Sequence, residues 1–202
     1  MKKKFKLANK NIGLSEPVYF IADIAANHDG KLSQALDLIT AAKDAGADAA
    51  KFQHFKANSI VSDIGFKNLG SKFSHQKNWK KSVFETYKDA SIDLKWTDQL
   101  KNKCDKVGIE FCSTPYAFDL TDHLDKYVNF YKIGSGDITW IDLLEYVSLK
   151  GKPVILSTGA SDILEVETAV KAIQKYNNEI VLMQCNTNYT ANDEENFNYI
   201  NL

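Results

Sequence analysis

Short apolar runs alternate along the chain with segments whose apolar residues recur at helical spacing. Val18-Tyr19-Phe20-Ile21-Ala22 is the first run, and Leu32, Ala35, Leu36, Ile39 and Ala42 follow on one face of a predicted helix. Residues 47–52 read as a second strand, 109–112 as a third, 131–133 as a fourth, 153–156 as a fifth and 180–183 as a sixth. Before the sixth, Val166, Ala169, Val170 and Ile173 again mark one helical face. Gly46, Gly108 and Gly151 each stand between a helix and the next strand, where a left-handed residue lets the chain turn back. Such alternation predicts an α/β fold of parallel strands with right-handed crossovers, a requirement that a doubly wound sheet and a barrel both satisfy. Residues 54–79 break the pattern. They are rich in Lys, Ser, Asn and Gly with little periodicity, and are expected to form an active-site loop leading into a helix around residues 80–87.

Polar residues gather where the strands end. The first strand runs into Asp23, Asn27 and His28, the second into Lys51 and Gln53, and the third into Ser113 and Thr114. The fourth carries Lys132 and runs into Ser135 and Asp137, the fifth into Ser157 and Thr158, the sixth into Gln184, Asn186 and Thr187. In a barrel these carboxyl ends meet at one mouth, where such folds do chemistry. Two lysines, several hydroxyls and the backbone of Gly134, Gly136 and Gly159 suit a phosphorylated carboxylate, and helix N-termini beyond them add partial positive charge. Asp23 and Asp137 suit sugar hydroxyls or proton transfer. Taken singly, Ser113, Thr114, Ser157 or Asp137 reads equally as a turn or cap residue. Lys51 and Lys132 lie within apolar runs, where an unpaired charge is costly, so the alternative for each is a salt bridge. His28 has a site role and a local hydrogen-bonding role open to it, whereas His54, His75 and His123 are expected on the surface or in loops. Trp79, Trp96 and Trp140 are expected to be packing anchors, and the cysteines packing residues without an activating partner.

Composition narrows the class. The 202 residues suffice for one domain with its own core, and 44% hydrophobic with 25% charged residues is ordinary for a soluble protein. A net charge of -1 gives no field favouring nucleic acid or an anionic membrane. Lys2-Lys3-Lys4 leads into no apolar stretch of signal-peptide length, and no segment is long enough to span a bilayer. Cys104, Cys112 and Cys185, odd in number and far apart, argue against a disulfide framework or a structural zinc site, so a reducing cytoplasm is expected.

Six runs, IADIAANHDG (21–30), GADAAKFQ (46–53), STPY (113–116), YKIGSGDIT (131–139), GKPVILSTG (151–159) and VLMQCNTNYT (181–190), together resemble the N-acetylneuraminate synthase family of sialic, legionaminic and pseudaminic acid synthases. The resemblance covers nearly the whole chain. It implies a TIM (β/α)8-type barrel in which C3 of phosphoenolpyruvate attacks the aldehyde of an open-chain N-acetyl hexosamine such as N-acetylmannosamine. Water then adds at C2 and phosphate leaves. A divalent metal, Mn2+ or Mg2+, would polarise the aldehyde. Carried over by position, Lys51, Thr114, Lys132, Ser135, Ser157 and Thr187 would bind phosphoenolpyruvate. Asp23, Asn27, Gln53, Asp137 and Tyr189 would face the amino sugar, with Asp23, Lys51, Lys132 and Asp137 as the catalytic set.

Asp23 and Asp137 stand where the family usually has Glu, which points to a variant amino sugar, and Thr190 stands where many members have Pro. About six of eight strand–helix units are expected within residues 1–202, read as one incomplete barrel domain. The histidines that hold the metal in the family, and its C-terminal antifreeze-like domain, are expected beyond this chain, leaving no metal ligand within it. An incomplete barrel would expose apolar edges at the first and sixth strands and tend to associate. The family also suggests a homodimer. Another phosphoenolpyruvate-condensing sugar-phosphate synthase is the alternative enzyme, although no surplus arginine cluster suits a second phosphate. An inactive fragment acting as a binding module is the non-enzymatic alternative.

Overall fold

The computed structural model describes residues 4–69 and 79–185. They form two compact units, one of residues 19–128 and one drawn from 1–18 and 129–202. No helix among the described residues is long and apolar enough to cross a membrane.

In the first unit, β3 (Ile21–Ala25), β4 (Ala49–His54) and β5 (Glu110–Pro115) pair in that order, all parallel. The crossover from β3 to β4 is α1 (Leu32–Asp44), whose Ala35, Ile39 and Ala42 are buried as the spacing predicts. Helix α5 (Thr97–Val107) precedes β5 and buries Leu100 and Cys104. Its end is set by Gly108 at φ +73°, a left-handed position that returns the amides of Gly108 and Ile109 to the last turn of the helix. Phe52 and Phe111 are buried on one face of the sheet with ring centroids 5.9 Å apart.

The segment expected as a long loop after the second strand holds two short helices, α2 (Ala57–Ile60) and α3 (Asp63–Leu69), the latter stapled by a Lys67–Asp63 pair one turn apart at 2.7 Å. Residues 70–78 lie outside the described ones. Helix α4 (Val83–Ala90) begins at a capping box of Ser82 and Glu85, three residues later than the expected start. Phe55 meets Tyr87 at 5.5 Å and Tyr116 at 6.0 Å, and Tyr87 meets Trp79 at 6.4 Å, so aromatic contacts join α4 to residues just past β4 and β5. Helix α6 (Phe118–Asp125) completes the unit.

In the second unit, β6 (Tyr131–Ile133), β7 (Val154–Ser157) and β8 (Ile180–Met183) pair in order, all parallel, with α7 (Ile141–Ser148) and α8 (Ile163–Gln174) as crossovers. Asn177 ties the turn before β8 to β7, donating to Lys152 O at 2.6 Å and accepting from the Glu179 amide at 2.9 Å. The unit also holds an antiparallel hairpin, β1 (Lys4–Leu7) and β2 (Lys10–Gly13), that the strand–helix reading did not include. Its signal is the alternation Lys4-Phe5-Lys6-Leu7, with Phe5 and Leu7 buried and both lysines exposed. Ala8, at φ +51°, occupies the turn. Exposed apolar residues occur where the sequence placed open edges: Val18 and Phe20 before β3, and Leu182 and Met183 on β8.

Candidate functional site

Strand register decides which side chains share a face. Asp23 lies opposite Lys51, Lys51 opposite Cys112, and Gln53 opposite Thr114. Because side chains alternate along a strand, Asp23, Lys51, Gln53, Cys112 and Thr114 project from one face of the first sheet. Phe52, His54, Phe111 and Ser113 project from the other. The Lys51 side chain is 8% exposed and its Nζ stands 2.8 Å from Asp23 Oδ1, whereas the Asp23 side chain is 59% exposed. The salt bridge left open for Lys51 is therefore present, and its partner is the acid expected to face a sugar. Gln53 Nε2 donates to the Tyr116 hydroxyl at 3.1 Å. The Asn27 side-chain amide is engaged locally, donating to Ile24 O at 2.9 Å.

The backbone beyond β3 is strained. Its register shifts at a bulge after Asp23, and Ala25 and Asp29 both adopt positive φ, near +50°. Non-glycine residues occupy that region at a cost, and such positions gather where a fold must aim particular side chains. Residue type alone gave no sign of it.

His54 corrects the sequence expectation. It is not a surface or loop residue but lies within β4, completely buried. Thr97 Oγ1 donates to Leu94 O at 2.9 Å, so it accepts from both His54 Nε2, at 3.1 Å, and His123 Nε2, at 2.9 Å. Burial drives the His54 pKa down to about 3, aided by His123 and His28. The neutral ring then has Nδ1 free to accept from the Ser113 hydroxyl at 2.7 Å. His123 lies in α6, half-buried, and joins the same chain of bonds. His28 is buried in a local role: its Nδ1 accepts from the Gly30 amide at 3.1 Å, and its ring stands edge-on to Trp96, 5.7 Å between centroids. His28 Nε2 has no hydrogen-bond partner among the described residues.

In the second unit Lys132 lies opposite Ile155, and Ser157, two residues further along β7, projects from the same face. Lys132 is 7% exposed, and its ammonium donates to Ile133 O at 2.9 Å and to Ser157 Oγ. Ser135 Oγ accepts from the Gly159 amide at 3.0 Å, so that amide is engaged within the chain. Ala160 follows at φ +57°. Asp137 ends a 3₁₀ turn, Ser135–Asp137, and burial lifts its pKa to about 6 against the opposing charge of Lys132. The N-terminus of α8 is closed by a capping box of Asp162 and Glu165, which sets two carboxylates where an anion was expected to be welcome.

Cys185, a packing residue by sequence expectation, has polar surroundings. Burial works against its ionisation, yet hydrogen bonds with Ser157 and Ser135, the Thr158 backbone and the charge of Lys132 together draw its thiol below the ordinary range. Only the folded order of β6, β7 and β8 reveals those neighbours. Cys104 and Cys112 are buried, as expected of packing residues. Thr187 and Tyr189, expected at this site, lie outside the described residues, as do His75, Asn186 and Thr190.

A raised carboxyl pKa fixes a sign. Native Asp137 holds its proton more tightly than the unfolded chain, so its contribution favours folding below the ordinary aspartate range and fades as pH rises through about 6. Asp137→Asn should therefore raise the Tm relative to the parent at pH 8, with the difference shrinking toward pH 4. Paired thermal melts across that range measure it, and a difference that does not change with pH would contradict the burial of this carboxyl.

Comparison with known proteins agrees with these motifs. The profile of the NeuB family matches residues 38–202. The chain belongs to the NeuB family. It is 36% identical over 194 residues to the spore coat polysaccharide biosynthesis protein SpsE of Bacillus subtilis, covering 94% of this chain and 50% of that protein. It is 33% identical to the N,N'-diacetyllegionaminic acid synthase of Legionella pneumophila, covering 91% of this chain and 52% of that enzyme. Among solved structures, the N-acetylneuraminic acid (sialic acid) synthetase of Leptospira borgpetersenii, in complex with citrate, superposes with a TM-score of 0.81 at 32% identity, covering 96% of this chain and 63% of that one. The chain spans about half the length of the curated relatives it matches.

Proposed function

We propose that this NeuB-family chain carries the phosphoenolpyruvate-binding part of an enzyme that condenses phosphoenolpyruvate with an N-acetylated amino sugar, giving a nonulosonic acid and phosphate. The fold proposed with it is the (β/α)8-type barrel, about six strand–helix units of which lie in residues 1–202 as one domain. The observation that carries the reading is Lys132: a buried ammonium beside the end of a parallel strand, held toward the Ser157 hydroxyl. A fixed cation next to a hydroxyl is a receptor for phosphate or carboxylate oxygens. Citrate in the Leptospira structure, a carboxylate-rich anion on a related protein, is consistent with it.

Within this reading, Lys51 and Thr114 in the first unit and Lys132, Ser135 and Ser157 in the second bind phosphoenolpyruvate and offset its negative charge. Thr187 and Tyr189 stay assigned by resemblance, to phosphoenolpyruvate and the amino sugar respectively. Asp23, Asn27 and Gln53 meet the sugar. Asp137, whose carboxyl titrates near 6, holds or releases a proton as the aldehyde oxygen becomes a hydroxyl. Holding the two reactants in line supplies rate through proximity. Among the described residues no group of three or more His, Cys, Asp or Glu is placed to hold a divalent metal. The work assigned to this chain is binding, orientation and proton placement.

The test is phosphate release from phosphoenolpyruvate by the full-length protein, with Mn2+, across a panel of N-acetyl hexosamines and phosphorylated aldoses. Release that depends on an amino sugar is expected. Release with a phosphorylated aldose alone would shift the assignment to a sugar-phosphate synthase, and release with none would end the proposal.

A further inference from the structure

The pairing of Lys51 with Asp23 joins a proposed phosphoenolpyruvate ligand to a proposed sugar ligand. We infer that Asp23 is an internal competitor for Lys51: its carboxylate occupies the ammonium until an anionic substrate displaces it. The inference rests on the reading of Lys51 as an anion ligand and adds a coupling between the two substrates.

The asymmetry of the pair is what makes it exchangeable. Lys51 Nζ cannot reach water readily, since its side chain is 8% exposed, and a buried cation without an anion is strongly disfavoured. Asp23, 59% exposed, can turn into solvent or onto another donor at little cost. The ammonium is thus the fixed member and the carboxylate the replaceable one. Their strands set them directly opposite each other, and the bulge that follows Asp23, with Ala25 at φ +50°, fixes the direction in which Asp23 leaves the strand. Lys132 in turn donates to Ile133 O and Ser157 Oγ.

Two consequences follow. Phosphoenolpyruvate binds the free chain more weakly than an unengaged Lys51 would allow, because binding must first break the ion pair. A sugar hydroxyl that donates to Asp23 draws the carboxylate off Lys51, so each substrate promotes the binding of the other by the same factor.

Calorimetric titration of phosphoenolpyruvate and, separately, of inorganic phosphate into the 202-residue chain tests this at fixed ionic strength. Asp23→Asn should bind phosphoenolpyruvate about tenfold more tightly than the parent, a gain of about 1.4 kcal/mol. Asp23→Glu, which can rebuild the ion pair, should return to the parent affinity. The double variant Asp23→Asn/Lys51→Met should lose the gain. Should Asp23→Asn leave too little folded protein to titrate, the anion-dependent rise in Tm of the variant against the parent gives the same comparison. Tighter binding of phosphate by Asp23→Asn, with no phosphoenolpyruvate binding by any form, would sustain the competition and remove the substrate assignment. If Asp23→Asn binds neither anion more tightly than the parent, the competition does not exist.

Discussion

Lys132→Met is expected to weaken phosphoenolpyruvate binding by about a hundredfold while leaving the chain as stable as the parent or slightly more so. The two halves of that expectation have separate causes. A buried ammonium that meets a substrate anion supplies a charge-assisted contact, and removing such a partner costs roughly 2–5 kcal/mol. Methionine keeps much of the length and volume of the lysine stem while removing the burden of a charge that is only 7% exposed. Were Lys132 present for the fold alone, losing its bonds to Ser157 Oγ and Ile133 O would lower stability. Calorimetry with phosphoenolpyruvate and a urea titration on the same sample separate the cases. Intact binding together with lost stability would show a structural lysine.

His54→Leu should produce the largest loss of stability, about 2–4 kcal/mol. Leucine fills a similar space but leaves the Ser113 hydroxyl without its acceptor and Thr97 Oγ1 without one of its two donors, all within a fully buried site. The pH dependence carries a second mark. The folded His54 pKa lies near 3, far below the ordinary histidine value, so the stability it contributes is present above about 6.5 and is lost as pH falls toward 3. The parent should destabilise over that range and the leucine variant much less. Equal slopes for the two would show that this imidazole is not the buried neutral group described here. Because Ser113 adjoins Thr114 and His54 adjoins Gln53, the same bonds hold steady two residues proposed to meet substrate.

The parts of the fold visible in the sequence were those with a period. Helix α1 and strands β6 and β8 fall where spacing predicts them, since buried faces repeat at the helical period and short strands are bounded by glycine or polar turns. The hairpin β1–β2 gives little sequence signal because its four-residue alternation is masked by lysines that also read as a charge run. Residues 57–69 showed little periodicity because helices of four and seven residues are too short to establish one. At the candidate site, Lys51 and Lys132 were legible as charges inside apolar runs, and both prove buried. Their partners were not legible: Asp23 lies 28 positions from Lys51, and Ser157 lies 25 from Lys132. His54 looks like the first residue of a loop in the sequence, and its partners Ser113 and Thr97, with His123 bonded to Thr97 in turn, arrive from three later elements. Cys185 gains its polar company only when β8 settles beside β7.

Titration of phosphoenolpyruvate into the 202-residue chain at low ionic strength addresses the central claim most directly. Saturable binding is expected, weakened by added salt and by either Lys51→Met or Lys132→Met. Absence of binding, or binding that neither substitution alters, would contradict the assignment of these two buried lysines to an anionic substrate.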